Sequence, residues 1–373
     1  MPIFSFIVAK DKKLMTLLEL VNRHDAAAAR AVDLAIIGTA KNVGKTTTLN
    51  WLLEQLALAT ATLGLTSQGR DGEEFDAITN LRKPRIIPPA GTLVATAERL
   101  AKPRGTHLFP VAITPFCNAL GRIGIYRVVE PAPIEVAGPV TVAQLRAVCT
   151  QLRHLGANRI LLDGAIDRKA AAQVAPAVIL SSGLAMLTTD SRYVISDRNN
   201  YNECRISEIV QRTAAVIRML ALPTLPPPLA AFVRNSPERL ETGALLADGS
   251  FLPWPGSAIL EQGESLLHWL PSDALALVLP GALTDGVAHL LLRSGRSDLK
   301  LVVPDGTHVL CSQLTFAKLA NRGWYCYAMN SITVLAVTSN PTAPYLPAIP
   351  ASALLATMRA TLTLPVYDIV YSP

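Results

Sequence analysis

Charge is scarce in this chain of 373 residues, with Asp, Glu, Lys and Arg together making up 17% of it, against about a quarter in an average domain. So little charge implies extensive burial or a surface covered by a partner. Basic residues outnumber acidic ones by only six and are dispersed. Their densest cluster is Leu81-Arg82-Lys83-Pro84-Arg85, aromatics amount to 5%, and none interleave with it. A solvated basic loop is the better reading, and nucleic acid is not an expected partner. The five cysteines, Cys117, Cys149, Cys204, Cys311 and Cys326, form no Cys-x-x-Cys pair, which argues against a zinc ribbon or an iron–sulfur cluster. Cys149 and Cys204 fall in helical patterns and are expected to be buried apolar residues. An odd cysteine count with no secretory signal points to the cytoplasm. The uncharged run from Tyr327 to Met358 is broken by Pro341, Pro344, Pro347 and Pro350. That spacing excludes a transmembrane helix, so no membrane association is expected, and it predicts a polyproline-like extended strap.

Against these absences stands one strong local pattern, Gly38-Thr39-Ala40-Lys41-Asn42-Val43-Gly44-Lys45-Thr46-Thr47. The aliphatic run Val32 to Ile37 before it reads as a buried parallel strand, and Thr46 to Leu56 after it has helical spacing. Strand, glycine-rich turn and helix together form a phosphate cradle. Loop N–H groups and the positive end of the helix dipole converge on one anion. Lys45 would neutralise the β- and γ-phosphates of a nucleoside triphosphate, ATP or GTP, and Thr46 would offer its hydroxyl to Mg²⁺. Residues 38–47 are therefore the expected nucleotide-binding set. Such a site needs an acidic anchor at the end of a neighbouring buried strand. Asn158-Arg159-Ile160-Leu161-Leu162-Asp163-Gly164 supplies Asp163, with a plain Asp-Gly turn as the alternative. The loop Gln68-Gly69-Arg70-Asp71-Gly72-Glu73-Glu74 follows another strand-like run. Asp71 is a candidate metal- or water-positioning carboxylate and joins Lys45 and Asp163 as a candidate catalytic group. Arg70 and Glu73 are candidate substrate or switch residues, as are Arg168 and Lys169 just after Asp163. A solvated surface loop is the alternative for the residues around 71.

Five residues separate Gly38 from Gly44, one more than in the commonest phosphate loop. With its Gly-Thr opening and Gly-Lys-Thr close, the loop resembles the dethiobiotin synthetase and cobyrinic acid diamide synthase group of P-loop proteins. Related cell-division and arsenite ATPases carry a signature lysine where this chain has Ala40. Lys41 is one residue out of register and reads as a solvent-facing cation. Ser67-Gln68-Gly69 stands where dethiobiotin synthetase has a Lys-Pro pair, and Cys311 in His308-Val309-Leu310-Cys311-Ser312-Gln313 lacks the flanking glycines of a glutaminase nucleophile. Glutamine-driven amidation is therefore not expected, and Cys311 with His308 reads as a structural pair.

The expected fold class is α/β: a P-loop NTPase with a parallel sheet and a β-rich insertion, plus a second α/β domain. Residues 1–220 form the nucleotide domain, elaborated over about 84–140. A Pro-rich linker at 221–230 and a C-terminal α/β domain at 231–373 follow. The polar stretch Asp197 to Asn202 is a candidate cover. Along most of its length the chain also resembles the P-loop subunit of the reactivating factor for cobalamin-dependent lysine and ornithine aminomutases. That resemblance rests on Lys41 to Asn50, Gly64-Leu65-Thr66-Ser67, Gly69 to Glu73, Gly91 to Ala97, Leu162 to Lys169 and Asn340-Pro341-Thr342. It implies an accessory ATPase acting on an aminomutase, with a second ATPase subunit as a further partner; a homodimer is also compatible. The alternative is a ligase or kinase that phosphorylates a small carboxylate or carbamate. No guanine-reading Asn-Lys-x-Asp occurs, and Asn340 before Pro341 reads more simply as a turn residue than as an adenine reader.

Overall fold

The computed structural model describes residues 15–58, 62–71, 84–101, 107–165, 170–188, 201–226, 241–256, 259–297 and 299–370. In chain order the first part carries α1 (Leu17–Ala28), β1 (Leu34–Gly38), α2 (Lys45–Leu58), β2 (Leu63–Ser67), β3 (Arg70–Asp71), β4 (Leu93–Ala97) and α3 (Glu98–Ala101). Then come β5 (Leu108–Asn118), β6 (Gly121–Val128), β7 (Val136–Ala137), α4 (Val142–His154), β8 (Arg159–Ala165), α5 (Ala170–Val174), β9 (Ala177–Gly183) and α6 (Tyr201–Leu220). The remainder comprises β10 (Gly243–Leu246), β11 (Phe251–Pro253), α7 (Ile259–Trp269), β12 (Ala274–Val278), α8 (Asp285–Arg293), β13 (Lys300–Val303), α9 (Gln313–Asn321) and β14 (Tyr325–Ala328). Last are β15 (Thr333–Asn340), α10 (Ala351–Thr361) and β16 (Val366–Tyr367).

The chain is α/β, built on a nine-stranded sheet in the order β16-β15-β9-β1-β8-β2-β4-β6-β5. From β16 to β4 neighbouring strands run parallel, and β6 and β5 close one side as an antiparallel meander. Aliphatic runs form the centre because a parallel sheet covered by helices buries both faces of each strand. In β1, Ile36 joins Leu49, Leu52 and Leu53 of α2 in one core cluster. Its neighbour Ile37 joins Leu145, Val148 and Leu152 of α4 in another. Thr141 caps α4 by accepting a hydrogen bond from the Gln144 N–H at 3.3 Å, which fixes where that helix starts. Within the expected β-rich stretch, over the described residues 84–101 and 107–140, β4, β6 and β5 extend the main sheet, whereas β7 pairs with β3 in a separate two-stranded sheet.

A five-stranded sheet, β11-β10-β12-β13-β14, forms a second unit. Three of its strands run parallel, and Leu266, Leu291, Leu301 and Trp324 pack in its own core. Its limits differ from the expected 231–373. β15 pairs with β9 and β16 pairs with β15, so both belong to the large sheet. The second unit is therefore inserted between α6 and β15. Pairing partners depend on which edge is free, and the free edge lies beside β9.

Three further expectations change. Of the Pro-rich linker, Thr224 bridges Ala328 and the Ala328 N–H donates to Pro223 O at 3.0 Å. This part docks on the edge of β14, and 227–230 lie outside the described residues. The run of prolines at 341–350 is no extended strap. Tyr345 has φ +64° and the Ile349 N–H donates to Pro341 O at 3.1 Å, so the segment closes on itself as a loop. Cys149 is buried as expected, whereas Cys204 on α6 is exposed, because helical spacing alone does not say which face meets the core. Residues 197–200 of the suggested cover lie outside the described residues, while Tyr201 and Asn202 open α6.

Candidate functional site

β1 delivers the glycine-rich loop to the carboxyl edge of the sheet, between β8 and β9. Gly38 ends the strand, and a Cβ there would lie 2.9 Å from Val43 Cγ2 and 3.0 Å from Ala40 O. The loop therefore folds back over a position that has no room for a side chain. Asn42 and Gly44 adopt φ of +61° and +92°, the left-handed values that Asn and Gly tolerate best. Val43 between them is 1% exposed and packs with Leu184, Ile206 and Leu354, so the turn is pinned from inside. Lys41 and Asn42 are exposed and Ala40, Gly44, Lys45, Thr46 and Thr47 half-buried. Lys41 is thus the solvent-facing cation its register suggests.

Lys45 begins α2 with its Nζ 2.7 Å from Asp163 Oδ1, the side chains being 16% and 1% exposed. Asp163 stands on β8 opposite Ile36 of β1 and Ser67 of β2. A Cβ on Gly164 would meet that of Ala171 at 2.8 Å, so α5 closes tightly behind the carboxylate's strand. These two residues, far apart in the chain, form a nearly dry ion pair at the mouth of the loop. Thr39 donates its N–H to Ser181 O at 2.8 Å, and its Oγ1 is buried with no hydrogen-bond partner. An orphaned hydroxyl costs free energy that a bound polar ligand would recover.

Beneath the loop, three hydroxyls from three elements meet in a buried cluster. Thr338 Oγ1 donates to Ser181 Oγ at 2.9 Å, and Thr48 Oγ1 lies 3.0 Å from Thr338 Oγ1 and 3.4 Å from Ser181 Oγ. Thr48 also donates to Gly44 O at 3.2 Å. Asn340, last residue of β15, donates from Nδ2 to Asn42 O at 3.1 Å, while its Oδ1 accepts from Thr342 N–H at 3.0 Å and Thr342 Oγ1 at 2.8 Å. Sequence reasoning took Asn340 as a turn residue, which it is, and missed its second contact. Ser181 and Thr338 carried a faint signal: hydroxyl residues at the ends of aliphatic runs, where a core strand has no apolar reason to hold them.

The side chains of the remaining expected residues lie outside the described part. The backbone of Arg70 and Asp71 forms β3, paired with Val136–Ala137 of β7, and their side chains are outside the described part. Glu73, Arg168 and Lys169 also lie outside the described residues. No group of three or more His, Cys, Asp or Glu gathers among the described residues, so an all-protein metal cage is not formed there. Mg²⁺ does not require one, since it is commonly held by one or two carboxylates together with phosphates and water. Thr46 and Asp163 fit that mode. An apolar cavity of about 270 Å³, lined by Ile37, Leu180, Met219, Leu220, Val309 and Cys311, lies between the sheet and the second unit. It has no charged lining residue to meet an anion. Cys311 is 4% exposed, and His308 Nδ1 lies 3.2 Å from Asp305 Oδ1, in keeping with structural roles. Burial pushes the Asp305 carboxyl up, but hydrogen bonds from His308 and Thr307 outweigh it and hold the group below its ordinary value.

Comparison with protein-family models gives no match, and comparison with curated proteins gives none either. No helix among the described residues is long and apolar enough to cross a membrane.

Proposed function

We propose that the chain is a P-loop nucleoside triphosphatase, dependent on Mg²⁺ and acting on ATP or GTP. The observation that carries this reading is the meeting of Lys45 and Asp163 at 2.7 Å, at the mouth of a loop whose backbone turns through Asn42 and Gly44. In the nucleotide-free protein Lys45 neutralises Asp163. An arriving triphosphate offers it several oxygens, and the lysine exchanges one anion for another while loop N–H groups take the β-phosphate. Thr39, with its unused hydroxyl, is placed to contribute a further donor. Mg²⁺, held by Thr46, Asp163 and the nucleotide, would draw charge from the leaving phosphates when bound.

We further propose an accessory role, in which hydrolysis changes the protein's grip on a partner enzyme; a cobalamin-dependent aminomutase is the partner that the sequence resemblance proposes. Insertion of the second unit between α6 and β15 supports this, because β15 ends against the loop. Calorimetry with ATP and GTP in magnesium tests the first proposal. Heat of binding that disappears in Lys45→Ala is expected; no heat with either nucleotide refutes it. Hydrolysis that rises with a partner protein supports the accessory role, and hydrolysis that rises only with a small acid or amine refutes it.

A further inference from the structure

We infer that Asn340 is a positioning residue that holds the phosphate loop in its binding shape, an inference about function that rests on the nucleotide-binding reading above. The loop turns through Asn42, whose left-handed φ of +61° is tolerated by asparagine but is less populated than the helical and extended regions unless something holds it. What holds it is the Asn340 amide, whose Nδ2 donates to Asn42 O at 3.1 Å. The amide's orientation is not free. Its Oδ1 accepts both the N–H and the hydroxyl of Thr342, so only the NH₂ end can face the loop.

The support behind it is rigid. Asn340 pairs in register with Gly183 of β9, and a Cβ on Gly183 would lie 2.0 Å from Asn340 O. The two backbones are therefore in contact with no slack. On the loop side, a Cβ at Gly44 would come within 3.5 Å of Asn340 Cβ, so the side chain lies against both turning residues. Two residues earlier on the same strand, Thr338 joins the hydroxyl cluster under α2. β15 thus grips the loop from the side and the first helical turn from below. A loop already bent into shape loses less entropy when phosphate arrives.

Both ends of the amide are engaged, which separates this role from direct reading of a base. Hydrogen exchange of the backbone amides of residues 39–44 in nucleotide-free protein tests the brace alone. Asn340→Ala is expected to speed exchange about two- to tenfold, the worth of one hydrogen bond. Asn340→Asp, which keeps the Thr342 acceptor but turns a donor into an acceptor facing Asn42 O, should do the same and guards against a folding defect in the alanine variant. Calorimetry of Asn340→Ala with inorganic tripolyphosphate and with ATP, each in magnesium, then tests the consequence. A brace weakens both ligands by a similar factor. Unchanged exchange in both variants overturns the inference, as does weakening of ATP with tripolyphosphate spared. If the unaltered protein binds neither ligand, the nucleotide-binding reading fails while the exchange result still decides the brace.

Discussion

Lys45→Met removes the cation facing Asp163 and keeps most of the apolar stem, so it isolates the charge. The loss it produces in nucleotide-free protein can be bracketed. An exposed ion pair contributes about 0.2–1 kcal/mol, whereas breaking a buried one costs about 3–5 kcal/mol because a charge is left dry. Asp163 is 1% exposed and Lys45 16%, so the carboxylate sits at the buried limit while the lysine keeps a small part of its surface in water. That places the expected loss at about 2–3 kcal/mol, between the two cases. Asp163→Asn alone should cost less, about 1 kcal/mol, because the Lys45 side chain is partly exposed whereas the Asp163 carboxylate is buried. The double variant should recover most of the loss, giving a coupling near 2 kcal/mol. Urea unfolding followed by circular dichroism, without nucleotide, measures all four corners. The electrostatic account of the site is refuted if Lys45→Met unfolds at the unaltered midpoint, or if Asp163→Asn fails to relieve it.

Thr338→Val removes one of three mutually bonded hydroxyls and is expected to cost about 1–2 kcal/mol, while replacing Thr48, Ser181 and Thr338 together by apolar residues should cost less than the sum of the single losses; urea unfolding decides. Gly138→Ala should be severe, about 3 kcal/mol or more, since its Cβ would fall 1.9 Å from Ser67 O, whereas at Gly91, with φ +87° and open space around it, the same change should cost only about 1–2 kcal/mol of backbone strain. Of the five thiols, Cys117 and Cys204 are exposed and Cys149, Cys311 and Cys326 buried, so a disulfide reagent should titrate two quickly in native protein and five after denaturation. Burial pushes the Cys149 and Cys326 thiols up to about 12; a raised folded-state value means that their contribution is intact below the ordinary thiol pKa and is lost as pH climbs from there toward 12, so replacing either with Ala should flatten the alkaline fall in stability measured by urea unfolding.

Local order was legible in the sequence and long-range order was not. Aliphatic runs and helical spacing located β1, β8 and α2, because strand and helix periods are properties of a short window. Lys45 and Asp163 were each found from flanking context, one by a glycine-rich turn before a helix and the other by its place at the end of a buried run. Sheet membership is a different quantity. Nothing in Thr333 to Asn340 says whether it pairs with β9 or with β14, since the choice depends on which edge the intervening chain leaves open. The same limit explains why the prolines after Asn340 misled. A repeat of every third residue suits an extended helix, but a left-handed Tyr345 and one hydrogen bond between Pro341 and Ile349 turn it into a loop.

The misplaced strand is also the one that gives the candidate site its tertiary character. A loop between β1 and α2 supplies backbone donors by itself, yet its floor and its side wall come from elsewhere: Ser181 lies 133 residues from Thr48, and Thr338 lies 290 away. Two of those contributions stand on either side of the inserted unit in sequence. That unit is in turn tied to the helix that follows the other anchor, since Gln173 on α5, ten residues beyond Asp163, donates to Thr307 Oγ1 at 2.6 Å. A Cβ on Gly306 would lie 2.0 Å from Leu220 O, so the joint between the unit and α6 leaves no space to absorb movement. Displacement of the second unit would therefore strain α5 behind Asp163 and β15 beside Asn42 at once. Under the accessory role proposed above, a partner gripping that unit would act on both sides of the loop, and by reciprocity whatever occupies the loop would bias the grip.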